Sequence, residues 1–340
     1  MGATNQPVTE FWPGLVLGIE SSCDETSMAL VKGRQIITNV VASQVDMHIK
    51  WGGVVPEAAA RAHVENLIPT FREAMESAGE PLTAVAVTNR PGLVGALSVG
   101  LSAAKAIAWR HQVPLIGVHH IEGHLVSPLG DPQIELTYPH ICLVVSGGHT
   151  ELIEVHAPCK YTLLGETRDD AAGEAFDKGA RLLGLGYPGG RAIQEAAKSG
   201  NPKRYALPQS LKNSPFEFSF SGLKTAMLRL VQKEGEGISV PDAAASLQHA
   251  IVESLTEKAL TACQSRSVNA LTVVGGVSAN QALRDRLKSE CSRRSIKIAI
   301  PPLDLCTDNA AMIALAGSIR LARGERSTWD LDCSPSADLP

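Results

Sequence analysis

With 340 residues, 44% of them hydrophobic and 19% charged, the chain is long enough for two ordinary domains, and its composition excludes a disordered polymer. A net charge of -4, from 31 Lys+Arg against 35 Asp+Glu, excludes recognition of nucleic acid through a whole-molecule basic surplus. Seven cysteines without a C-x-x-C pair point to a reduced, cytoplasmic interior, and neither a signal peptide nor a membrane span is expected.

The first element is the apolar run LVLGIE (15–20), which ends in the polar turn SSCDET and returns as SMALV, a strand–turn–strand pattern. Helical spacing follows over 56–78, with Pro56 suited to the first turn. A strand at 84–88 leads through NRPG into a small-residue helix ending near Trp109 and Arg110, and a short strand covers 115–118. After the linker 131–139 the opening pattern recurs as ICLVVSGGHTELIEV (141–155). Helices are expected over 169–185, 222–233 and 241–266. A strand at 271–274 enters GGVSAN and a further helix, a last strand covers 296–300, and a closing helix spans about 309–321. Two similar halves, each opening with a small-residue hairpin and continuing as alternating helices and strands, imply covered α/β sheets. Hairpin turns aimed at a shared cleft would suggest an actin/Hsp70/hexokinase-like architecture.

Five segments carry chemistry. In VSGGHT (145–150), consecutive glycines permit a backbone cradle for phosphate oxygens, or form an ordinary hairpin turn. SSCDET adds Asp24 and Glu25 at the matching turn of the first half. GGVSAN (275–280) is either an approach for adenine or phosphate at a helix start or a tight strand-to-helix turn. In HHIEGH (119–124), His120 and His124 are four apart and share one helical face, so they can chelate one metal or serve as buried structural histidines. Asp308 of CTDN, read as the cap of the closing helix, offers a third ligand, and His119 competes with His120. Two imidazoles and a carboxylate suit a divalent metal with open positions, iron or zinc among them. A zincin peptidase is unfavoured, because Glu122 lies two residues from each histidine and is turned away from their face.

Together, GIESSCDET, GGVVPEAAARAH, PGLVGAL, HHIEGH, VSGGHTEL, DDAAGEAFDKGARLLGLGYPGG, FSFSGLKTA, GGVSAN and CTDNAAMIA closely resemble the bacterial TsaD family. These are the tRNA N6-adenosine threonylcarbamoyltransferases, formerly described as O-sialoglycoprotein endopeptidases. The resemblance covers about 15–321. It implies a two-lobed actin-like (ASKHA) α/β fold with duplicated RNase H-like lobes. It also implies one divalent metal per chain, commonly Fe2+ with Zn2+ or Mg2+ as alternatives, at His120, His124 and Asp308. The ligand cleft maps to Val144, Val145, Ser146, Gly147, Gly148, Asp177, Gly190 and Asn280, and the catalytic acids to Asp24 and Glu25. Some relatives carry an aspartate where this chain has Gln194, which puts a ribose contact there in doubt. The implied reaction is attack of the N6 amine of adenosine 37, in tRNAs reading codons that begin with A, on threonylcarbamoyl-AMP, with release of AMP. TsaB-like and TsaE-like subunits are the implied partners, with no membrane. An ATP-hydrolysing actin-like kinase or chaperone, or a non-catalytic scaffold, are the other classes. The expected domains are 14–130, with the closing helix 309–322 able to pack back on it, and 138–308, flanked by flexible tails 1–13 and 326–340.

Overall fold

The computed structural model describes residues 9–209, 211 and 213–339, which separate into two compact units. The first takes the described residues through Leu136, Ala157–Tyr161 and those from Pro301 onward; the second takes Thr137–His156 and Thr162–Ile300.

In the first unit, β1 (Leu15–Glu20), β2 (Glu25–Lys32) and β3 (Gln35–Ser43) form an antiparallel meander. The short helix α1 (Val45–His48) and the long α2 (Pro56–Glu76) lead to β4 (Leu82–Arg90). Helix α3 (Val94–His111) and strand β5 (Leu115–His119) follow, and α4 (His120–Val126) begins at the next residue. The sheet order is β3-β2-β1-β4-β5, with β4 parallel to β1 and β5 parallel to β4. All six residues of β1 are buried, as the unbroken apolar run of a central strand requires.

The second unit repeats the plan. Strands β6 (His140–Val145), β7 (Thr150–Ala157) and β8 (Lys160–Glu166) are followed by helices α5 (Ala172–Leu182), α6 (Gly189–Ala197), α7 (Ser221–Glu234) and α8 (Val240–Ser265). Strand β9 (Ala270–Val274), helix α9 (Gln281–Arg293) and β10 (Lys297–Ala299) complete a sheet of order β10-β9-β6-β7-β8. The order about β6 mirrors the order about β1. The chain then forms α10 (Ala310–Ala322) in the first unit. Nearly every residue of α10 is buried, as befits a helix apolar on all sides. Met312, Ile313 and Leu315 join Val16, Ala84 and Val118 in one core cluster.

Four elements escape the sequence patterns: β3, β8, α1 and α6. Strands β3 and β8 lie at sheet edges and contain no fully buried residue, so neither carries the apolar signature of an interior strand. Residues 301–308, expected in the second domain, group with the first unit, because they lead into the buried helix α10. The C-terminal segment is not a loose tail. Ser327 pairs with Leu115, Leu331 packs on the first unit's core, and Asn89 bonds both the Asp332 carbonyl and the Ser334 amide. Its polar composition hid backbone partners far away in sequence. Within the expected N-terminal tail, Trp12 is anchored to Ser318 and Thr83, while residues 1–8 lie outside the described residues.

Candidate metal centre and ligand-binding turn

Helix α4 springs directly from β5, so HHIEGH is held at a strand's carboxyl end. His119 is its N-cap: Nδ1 accepts from the Ile121 amide at 3.3 Å, and Nε2 donates to the Ala337 carbonyl at 3.0 Å. Burial holds its pKa down to about 4. Both ring nitrogens are thereby engaged within the protein, and His119 is not among the donors that cluster with His124 and Asp308.

His120 and His124 sit one turn apart with ring centroids 4.8 Å apart. Asp308 Oδ1 lies 3.1 Å from His124 Nε2 and 3.5 Å from His120 Nε2. One donor atom from each of the three residues falls within 4.8 Å of the others. Ligands bound to one ion by bonds of about 2.0–2.2 Å stand roughly 3–3.5 Å apart, so this donor set fits a divalent cation. Asp308 is not the helix cap. Asn309 is, its Oδ1 accepting from the Met312 amide, which leaves the Asp308 carboxylate turned to the histidines. Burial opposes ionisation of both Asp308 and His120, but their mutual attraction outweighs it. Asp308 is held well below the usual carboxylate range, and His120, which also faces Glu20, well above that of a free imidazole.

Two residues around this cluster, one buried and one partly buried, were missed by sequence reasoning. Glu20, wholly buried at the end of β1, accepts from His120 Nδ1 (3.1 Å), Thr88 Oγ1 (2.6 Å) and the Ser22 amide. An acid closing an otherwise apolar strand was the available signal. Arg320 of α10 grips Glu122. Glu122 is therefore engaged by Arg320 Nε (2.6 Å) and Tyr161 OH (3.0 Å), which removes it as a metalloprotease base.

Asp24 lies in the β1–β2 turn after Glu20 and Glu25 opens β2, in the same unit as the histidines. Burial and the neighbouring Asp24 push Glu25 up to about 9, with Asp308 adding to the repulsion, so Glu25 holds a proton at neutral pH.

The second unit places Val144 and Val145 at the buried end of β6, and Ser146–His149 as the turn into β7. The Ser146 amide donates to the His149 carbonyl at 2.8 Å, and the His149 amide to Ser146 Oγ at 3.1 Å. Gly147 and Gly148 are exposed, do not have positive φ, and would meet nothing within 4 Å if given a Cβ. Backbone strain therefore does not require glycine there. At Gly275 it does: φ is +90°, and a Cβ would come 2.4 Å from the Val145 carbonyl oxygen. Gly173 of α5 likewise packs on the turn, its amide donating to the Ser146 carbonyl at 3.1 Å. Turn, α5 and GGVSAN thus converge on Val145–Gly147.

The remaining expected ligand residues have structural engagements. Asp177 Oδ1 accepts from the Gly189 amide at 2.7 Å, holding the start of α6, where Gly190 faces open space; burial raises the Asp177 pKa. Asn280 caps α9 through Oδ1 and donates from Nδ2 to Gln248 at 2.8 Å. Gln194 Oε1 accepts from the Gln281 amide at 2.6 Å, tying α6 to α9.

Two mixed sheets of the same strand order, one carrying a His/His/Asp cluster, define an α/β protein of the two-lobed actin-like class. Crystal structures described as HypF share this fold. Full-length HypF in the phosphate- and nucleotide-bound form gives a TM-score of 0.61 at 12% identity, over 93% of this chain and 47% of that one. T. kodakarensis HypF gives 0.62 at 14% identity, over 94% and 49%, so the chain spans about half the length of either. A model of the family TsaD, tRNA N6-adenosine threonylcarbamoyltransferase, matches residues 35–315. The protein of that name from Symbiobacterium thermophilum is 50% identical over 333 residues, 96% of this chain and 97% of the relative. That from Acaryochloris marina is 51% identical over 329 residues, 93% and 91%. The chain belongs to the tRNA N6-adenosine threonylcarbamoyltransferase family.

Proposed function

We propose that this chain transfers the threonylcarbamoyl group of threonylcarbamoyl-AMP to N6 of adenosine 37 in tRNA, with AMP as the leaving group. The observation that carries this reading is the convergence of His120, His124 and Asp308 within 4.8 Å in a chain of this family. The exocyclic amine forms a bond to the carbamoyl carbon, the bond from that carbon to the phosphate oxygen breaks, and the amine proton passes to the departing phosphate or to solvent. An adenylate is already activated, so no covalent enzyme nucleophile is needed. Holding the reactants in line supplies much of the acceleration.

A divalent ion at His120, His124 and Asp308 supplies Lewis-acid polarisation of an oxygen when bound, and Fe2+ is the family's usual choice. Val144–Gly148 are assigned to the adenylate phosphate, cradled by backbone amides with no side chain at Gly147 or Gly148 to obstruct them. Asp24 and Glu25 are assigned to proton handling during this transfer; Glu25, pushed up to about 9, enters protonated. Since Asp177, Asn280 and Gln194 spend hydrogen bonds on neighbouring backbone and side chains, they shape this site more than they read the ligand. An actin-like kinase or chaperone would need no histidine centre.

TsaB-like and TsaE-like subunits are assigned as partners. The chain lacks a basic surplus for tRNA, and α2 exposes Val64 and Ile68 one turn apart, an apolar feature suited to a helical partner. No helix among the described residues is long and apolar enough to cross a membrane, and none of the seven cysteines is in a disulfide, in keeping with a cytoplasmic site of action.

The test supplies metal-loaded chain, threonylcarbamoyl-AMP, tRNA and both partners, then digests the RNA and assays modified adenosine. Modified adenosine that depends on the chain is expected. Its absence, with ATP hydrolysis instead, would favour the kinase-like reading.

A further inference from the structure

We propose that Glu20 is the positioning residue for His120, selecting the tautomer in which Nε2 presents its lone pair to the metal. This rests on the metal assignment above and extends it to a residue that does not itself bind the ion.

The argument begins with topology. Glu20 ends β1, which lies beside β4; Thr88 is on β4, and β5, the next strand, delivers His120 at the start of α4. Three donors therefore meet one wholly buried carboxylate. Oε1 accepts from the Ser22 amide, while Oε2 accepts from Thr88 Oγ1 at 2.6 Å and from His120 Nδ1 at 3.1 Å. An ionised carboxylate only accepts hydrogen bonds, so the proton shared with the imidazole belongs on Nδ1. Nε2, 3.5 Å from the Asp308 carboxylate, is then the nitrogen that gives up its proton and becomes the electron-pair donor when an ion binds beside Asp308. A carboxylate behind a metal-binding histidine fixes both the proton and the ring angle, and raises ligand basicity.

The second imidazole lacks this support. His124 Nδ1 is buried with no hydrogen-bond partner among the described residues, so its tautomer is set only through Nε2 and Asp308. Ser22 Oγ also approaches His120 Nδ1, at 3.2 Å, but a hydroxyl both donates and accepts and cannot by itself choose a tautomer. Glu20→Gln separates the two. Its amide must present NH2 either to Ser22 N–H or to the Thr88 and His120 donors, so one donor faces a donor. Relief by moving the His120 proton to Nε2 blocks that nitrogen as a ligand.

The experiment titrates the metal-free full-length chain with Zn2+ against a chromophoric chelator and records histidine nitrogen NMR spectra, using wild type, Glu20→Gln, Ser22→Ala and His120→Ala. In Zn2+-loaded wild type, the resonances lost in His120→Ala should report a proton on Nδ1 and none on Nε2. Glu20→Gln should weaken Zn2+ binding about 10–100-fold, and Ser22→Ala less than about 3-fold. A Zn2+-loaded wild type whose His120 carries its proton on Nε2 would overturn the proposal without any variant at Glu20. So would wild-type Zn2+ affinity in Glu20→Gln when His120→Ala has lost it. Equal binding by wild type and His120→Ala would instead overturn the metal assignment, and the inference with it.

Discussion

Glu122, in the middle of the histidine helix, accepts a hydrogen bond at 2.6 Å from Arg320 of α10, 198 residues away. The pair is nearly enclosed, with side-chain exposures of 1% and 11%. Because α10 follows directly from Asp308 and Asn309, this clamp ties the helix that carries two candidate ligands to the helix that follows the third. Glu122→Ala should cost about 3 kcal/mol, since it strands a buried guanidinium with Glu325 as its remaining carboxylate partner. Urea unfolding of Glu122→Ala, Arg320→Met and the double variant checks this. A double variant no more destabilised than Glu122→Ala alone is expected, and additive losses would contradict the coupling.

One equivalent of divalent metal per chain is expected to vanish in the His120→Ala/His124→Ala variant. Elemental analysis after anaerobic purification measures it. Wild-type occupancy in the double variant would place the ion elsewhere.

Gly148→Val should abolish binding of an adenylate analogue while leaving fold and metal content intact. A Cβ at Gly148 meets no protein atom within 4 Å, and its φ is not positive, so the valine has room in the free protein. Any loss must then come from the approach of the ligand itself. Calorimetry beside circular dichroism decides the matter, and wild-type affinity would mark the turn as an ordinary hairpin.

Stability should rise with pH through the mildly acidic range because of His140. Burial holds its pKa down to about 4, against 6.5 for a free imidazole. Below the free value the unfolded chain takes up a proton that the folded chain refuses, so stability is lost as pH falls from 6.5 toward 4. The full effect is at most about 3 kcal/mol. His119, also held to about 4, adds a contribution of the same sign. The stability advantage of wild type over His140→Gln should therefore shrink as pH falls through that window. A difference independent of pH would show that His140 is not buried neutral.

The sequence by itself determined the elements with an unbroken periodic signature: β1, β4, β6 and β9, the long helices, and the repetition of a strand–turn–strand opening in both halves. It also determined that His120 and His124 share a face, because a four-residue step on a helix is a local property. Asp308 could be read only as a carboxylate at the start of the closing helix, and the tertiary structure alone brings its Oδ1 to 3.1 Å from His124 Nε2. The edge strands β3 and β8 were illegible because their residues are only partly buried, and the C-terminal segment because its hydrogen-bond partners lie on β4 and β5. Glu20 shows the same limit. Its place at the end of an apolar strand could be read, but its three donors come from Ser22, Thr88 and His120. Local periodicity reports which face of an element is apolar. Which buried carboxylate meets which imidazole depends on strand order, and that is settled only when the sheet closes around its hydrogen bonds.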